Sequence, residues 1–153
     1  MKKKIKFLGY ALVVVIVLLQ LFPSDKPMVS AENPDDLFVT NEVPENIASM
    51  LKSACYDCHS NESKFPWYSN IAPVKWLVYD DINHAREELN FSEWNTIKKS
   101  DKGELLDDIS TVISEGEMPL EKYVLLHAEA KLSEEDREAI VNWADEMLDS
   151  LYD

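Results

Sequence analysis

Cys55-Tyr56-Asp57-Cys58-His59 holds the densest run of reactive side chains in the sequence. On a helix, two thiols three residues apart share one side, and a histidine four residues from the first falls on the same side. Cys-x-x-Cys-His is the spacing of covalent haem attachment. Cys55 and Cys58 can form thioethers with the two vinyl groups along one porphyrin edge, and His59 can bind the iron from beneath the ring. Three other uses compete. A redox-active Cys-x-x-Cys would want a strand–helix alternation, which the sequence does not show. A zinc site would need one more ligand and would have to use adjacent Cys58 and His59 as tetrahedral partners. A Cys55–Cys58 disulfide would be structural only.

Iron in electron carriers usually takes a Met or a second His opposite the proximal His. The candidates are Met50, His84, Met118, His127 and Met147. Met50 shares a helix with the attachment motif and cannot reach the far side of the ring. Met147 lies on the apolar stripe of the last helix, and His84, between Asn83 and Ala85 on a helix, reads as solvated or capping. Met118-Pro119 follows the Gly116 stop, and the following proline restricts the methionine backbone, so its side chain can be aimed. His127 is the rival. Aromatics crowd the stretch after the motif: Phe65, Trp67, Tyr68, Trp76 and Trp94. Most serve as core, with Trp67, Tyr68 and Trp76 as candidates to cover a porphyrin face. The second ring nitrogen of His59 should donate to a backbone carbonyl, for which Pro66 and Pro73 are the expected acceptors.

The elements that must position these groups read as helices. Pro44 suits a first helical turn, and Ile47, Met50, Leu51, Ala54, Cys55 and Cys58 recur at three- and four-residue spacing. A second helix is expected from Pro73, with Val74, Leu77, Val78, Ile82, Ala85 and Leu89 on one side. Ser92 is expected to cap a short turn at Trp94. Asp101 with Glu104 resembles a capping box ahead of Leu105, Ile109, Val112 and Ile113, and Gly116 supplies the stop. Ser133 and Asp136 repeat the start signal before Ile140, Trp143, Ala144, Met147 and Leu148. Neither sustained alternation nor a hairpin turn dipeptide occurs. The fold class is all-α, with four or five helices over 41–153.

The N-terminus suggests an address. Phe7 to Phe22 is a sixteen-residue run in which only Gln20 is strongly polar. As a helix it would span about 24 Å, a little short of a ~30 Å hydrocarbon core. Lys2, Lys3, Lys4 and Lys6 precede it and keep that end in the cytoplasm, which puts the remainder on the periplasmic or equivalent side. Pro23-Ser24-Asp25-Lys26-Pro27 follows, in place of the small residues a cleaved signal wants. A retained anchor over 1–22 is therefore expected, with 23–40, rich in Pro, Asp, Asn and Ser, as a flexible tether.

Composition excludes several classes. The chain of 153 residues carries 29 acidic and 15 basic side chains, a formal charge of −14. Such a surface is unsuited to nucleic acid. Gly9, Gly103 and Gly116 are too dispersed for a phosphate-binding loop. No acid–base pair at useful spacing suggests an enzyme or a small-molecule substrate.

The attachment motif, Met118-Pro119 and the Leu132-Ser133-Glu134-Glu135 opening of a last amphipathic helix together resemble the cytochrome c fold. More closely, CYDCHSNESKFPWYSNIAPVKWLVYDDINHAREELNFSEW (55–94) and MPLEKYVLLHAEAKLSEED (118–136) resemble the family of small, membrane-anchored haem-binding-domain proteins. The resemblance implies a cytochrome-c-like helical domain with one covalent haem c. Cys55 and Cys58 would be its thioether positions, His59 its proximal ligand and Met118 its distal one. The function expected is electron transfer outside the cytoplasm, with an acidic body docking on basic patches of redox partners. The alternative is a haem-based sensor or gas-binding module whose sixth ligand is weak or absent.

Overall fold

The computed structural model describes residues 2–153, so that Met1 of the expected anchor lies outside them. The described residues form helices and turns with no strand among them, as expected. In chain order the helices are α1 (Lys2–Leu19), α2 (Leu37–Thr40), α3 (Glu45–Ala54), α4 (Tyr56–His59), α5 (Val74–Glu88), α6 (Lys99–Ser114), α7 (Glu121–Val124) and α8 (Glu134–Tyr152). Short 3-10 turns cover Trp67–Asn70, Phe91–Thr96 and Ala128–Ala130.

The α6–α8 pair is the most extensively packed. The helices run antiparallel: Gly103 lies against Tyr152 and Leu148, Ser110 donates to Asp145 at 2.8 Å, and Arg137 donates to the Ile113 carbonyl at 3.0 Å. α8 begins in a complete capping box, with Ser133 and Asp136 each satisfying a backbone N–H of the other. α6 starts differently from expectation. Its flanking residue is Lys98, so Asp101 already lies inside the helix, where its carboxylate accepts from Ser100. The α6 stop falls as expected at Gly116, whose φ of +77° is the left-handed conformation that ends a helix. Leu106, Ile109 and Ile113 meet Ile140, Trp143 and Ala144 in a core that extends to Ile47 and Leu51 of α3.

α3 stops at Ala54, immediately ahead of the motif. Cys55 leaves helical geometry at φ −124°, ψ −41°, and α4 then adds a single turn. The motif is thus a kinked continuation of α3. The turn at Phe91–Thr96 is capped by Asn90, not Ser92; the Ser92 hydroxyl accepts from Asn61 N–H and donates to Asp36.

Two further expectations are corrected. On α5 the buried residues are Lys75, Tyr79 and Ile82, while Val74 and Leu77 of the expected apolar stripe are 40% and 53% exposed. The cause is the stretch ahead of α2, which covers the other side of the helix. That stretch, expected as a free tether over 23–40, lies along the body. Ser30 N–H donates to the Asn61 carbonyl at 2.8 Å, Pro27 is buried, and Leu37 is fully buried. Buried Asp36 caps α2 through Phe38 N–H and accepts the Tyr56 hydroxyl at 3.1 Å. α1 by contrast buries no residue.

Candidate functional site

The kink at Cys55 sets the two cysteines and the histidine on one short turn. Cys58 and His59 N–H groups both bond to the Cys55 carbonyl, at 3.0 and 2.8 Å, closing the turn on which all three side chains stand. Both cysteines are free thiols and half-buried. Burial, reinforced by the neighbouring Cys58, pushes the Cys55 thiol up to about 12. Burial, then the charges of Asp57 and Asp81, pushes Cys58 up to about 11. A catalytic redox cysteine needs the opposite, a lowered pKa that supplies thiolate. The raised values speak against the redox Cys-x-x-Cys reading.

His59 Nδ1 lies 3.1 Å from the Leu89 carbonyl oxygen. A carbonyl only accepts, so Nδ1 carries the proton and the lone pair is left on Nε2. Burial lowers the His59 pKa and keeps the ring neutral, the form that ligates a metal. Phe91 stands edge-on to the ring at 6.5 Å between centroids. The orienting carbonyl was expected at Pro66 or Pro73; it comes instead from the residue that ends α5. That position has a structural logic, because the last carbonyls of a helix lack intrahelical donors.

Around the motif runs a polar chain. Tyr123 donates to Asp57 Oδ2 at 2.9 Å, stacks on His127 at 4.2 Å, and Tyr68 meets His127 Nε2 at 2.7 Å. His127 Nδ1 faces the Glu129 carboxylate at 3.2 Å. A carboxylate accepts, so Nδ1 donates to it and Nε2 accepts from Tyr68; neither nitrogen of His127 keeps a free lone pair. Burial and the Asp57 charge raise the pKa of the Tyr123 phenol, which stays protonated. Lys122 of α7 reaches Asp81 of α5 at 2.8 Å, and both charges are felt at Cys58.

The remaining candidates separate. Met118 is half-buried against the same apolar core as Cys55, and Arg137 fixes its carbonyl at 2.8 Å. Trp67 is 77% exposed and edge-on to Tyr68, so these two stand with His127. Trp76 is turned elsewhere, edge-on to Phe22 at the end of α1. Asp57, Leu89, Phe91 and Tyr123 escaped sequence reading. Only Asp57, inside the motif, carried a signal that would have pointed to it.

The donor set fits a haem. Among the described residues no three His, Cys, Asp or Glu side chains gather as a metal site, so zinc has no further ligand here. Beside the motif, Arg86 binds the Met28 carbonyl and the Ser63 hydroxyl, yet its Nε is buried without a partner, as is Trp94 Nε1. Orphaned buried donors are uncommon in a finished site and accord with one completed by a further group. Leu125 and Leu126, 83% and 63% exposed just before His127, are apolar surface of the kind a porphyrin covers. No curated protein and no solved structure matches the chain. The model of the haem-binding domain matches residues 14–146, from within α1 to within α8. With most of its length inside that match, the chain belongs to the haem-binding-domain family, and haem is its cofactor.

Proposed function

We propose that the protein is a membrane-anchored, single-haem c-type cytochrome that carries electrons outside the cytoplasm. The observation that carries this reading is the orientation of His59. Its Nδ1 is committed to the Leu89 carbonyl, and Nε2 is left for iron beside two protonated, unpaired thiols. Cys55 and Cys58 would hold the porphyrin edge, and the Leu89 contact fixes the tautomer and raises the basicity of the imidazole. Bound haem supplies a one-electron ferric–ferrous couple. Met118 is the better sixth ligand, because both nitrogens of His127 are occupied by Tyr68 and Glu129. Methionine opposite histidine raises the potential relative to two histidines.

The acidic surface, −14 overall, favours basic docking patches on redox partners and an association that slows with salt. No helix among the described residues is long and apolar enough to cross a membrane; α1 as a whole carries four lysines at its start. The anchor reading rests on the Phe7–Phe22 run within and just beyond α1, whose large apolar side chains are exposed. Thinning of the bilayer and snorkelling of Lys6 offset a deficit of about 6 Å.

Spectroelectrochemistry of the full chain in detergent, produced with cytochrome maturation machinery, tests the reading. A reversible one-electron titration without a carbon monoxide adduct at neutral pH is expected. Ready carbon monoxide binding by the ferrous protein would instead favour the sensor.

A further inference from the structure

The junction between α1 and the body is built as a clamp. Gln20 pairs with Ala72 through two hydrogen bonds, Oε1 accepting from Ala72 N–H at 3.0 Å and Nε2 donating to its carbonyl at 3.3 Å. Lys75, buried on α5, donates to the Phe22 carbonyl at 3.1 Å, and Trp76 stands edge-on to Phe22. Beyond the clamp the chain is strapped to α5. Asn83 donates to the Asp25 carbonyl at 3.1 Å and Arg86 to the Met28 carbonyl at 2.7 Å. Residues 75, 83 and 86 thus take the carbonyls of 22, 25 and 28 in the same order. Lengths agree: eleven residues of helix rise about 17 Å, and six residues of near-extended chain reach at most ~20 Å.

We infer that Leu21, Phe22, Ile71 and Trp76 form a lipid-contact surface on which the haem domain stands in one orientation, α5 rising from the bilayer. This rests on the anchor reading of α1. The occupant follows from continuity. Ala72 is bonded to Gln20, so the chain around it lies at the depth where α1 ends, and that depth is the headgroup layer. The exposed groups there suit it: Leu21 is 78% exposed, Phe22 59% and Ile71 42%. An aromatic pair, Phe22–Trp76, belongs at such a boundary. The Leu89 carbonyl that orients His59 lies at the opposite end of α5, about 22 Å of helix away from Val74. The haem is thereby held at a set height above the lipid instead of sweeping through a tether's volume.

The test is photo-crosslinking of the full-length haem protein in phosphatidylcholine vesicles, with p-benzoylphenylalanine placed at Ile71 or at exposed Glu88. Lipid adducts at position 71 at least tenfold above those at position 88 are expected. Combining Gln20→Ala with Asn83→Ala should bring the two yields toward each other. Equal yields at both positions in the unmodified background would overturn the inference in favour of a free tether. An adduct at 71 to a second copy would overturn it in favour of self-association. A chain that does not float with the vesicles at all removes the anchor reading itself, which flotation reports before any crosslink is made.

Discussion

The α6–α8 pair and the α4–α5 region are held together by different means. α6 and α8 close on each other with their own side chains: Leu106, Ile113, Ile140 and Ala144 are almost wholly buried, and α8 starts in a complete capping box. Around α4 and α5 the contacts run from side chain to backbone carbonyl: His59 to Leu89, Lys75 to Phe22, Arg86 to Met28. That half also leaves Arg86 Nε buried without a partner and Leu77, Leu125 and Leu126 in the open. One half is finished by the polypeptide. The other half has the marks of a fold finished by its cofactor.

Substitutions should separate the halves. Cys55→Ala with Cys58→Ala should abolish haem that survives denaturation, seen as complete loss of haem stain on a denaturing gel, while the α6–α8 half keeps its helical signal. Met118→Ala should keep the haem but lose the methionine–iron charge-transfer band; His127→Ala should keep both. Loss of the band in His127→Ala alone would assign the ligand to the rival. Ile140→Ala, in the fully buried α8 core, should cost about 2–5 kcal/mol in denaturant titration. Leu77→Ala, on the exposed side of α5, should stay within ~0.5 kcal/mol before haem is attached. Equal costs would break the comparison.

Smaller effects sharpen the same contrast. Gly116→Ala should cost about 1 kcal/mol, because its φ of +77° is strained for any side chain. Ser133→Ala should cost about 1 kcal/mol by removing the α8 cap. Hydrogen bonds from Ser133 hold the Asp136 carboxyl below its ordinary value. The stabilisation is therefore complete above that ordinary value and fades as pH falls through the lower folded-state one. Asp136→Asn should flatten that part of the acid limb in a stability–pH profile.

What could be read in the sequence follows from where the physics is local. The attachment motif and the Ser133–Asp136 box are spacings of a few residues, and the chain spells them directly. Gly116 announced its turn because one backbone conformation demands that residue. The strap over α5 was hidden, since its bonds join Asp25 and Met28 to Asn83 and Arg86, each 58 residues away, through carbonyls that leave no trace in residue type. Lys75 carried no signal of its burial, because a lysine's charge ordinarily keeps it in water; here its stem packs and its head finds the Phe22 carbonyl. Leu89 entered the expected α5 stripe as an apolar side chain, while its carbonyl is the group that orients His59.

The central claim is that a haem is bonded covalently through Cys55 and Cys58. Intact mass of the denatured, acid–acetone-washed chain from a host with the maturation machinery tests it most directly. The account expects the polypeptide plus one haem, with the pyridine haemochrome spectrum of a doubly thioether-linked porphyrin. Bare polypeptide mass, with the pigment extracted into acetone, would contradict it.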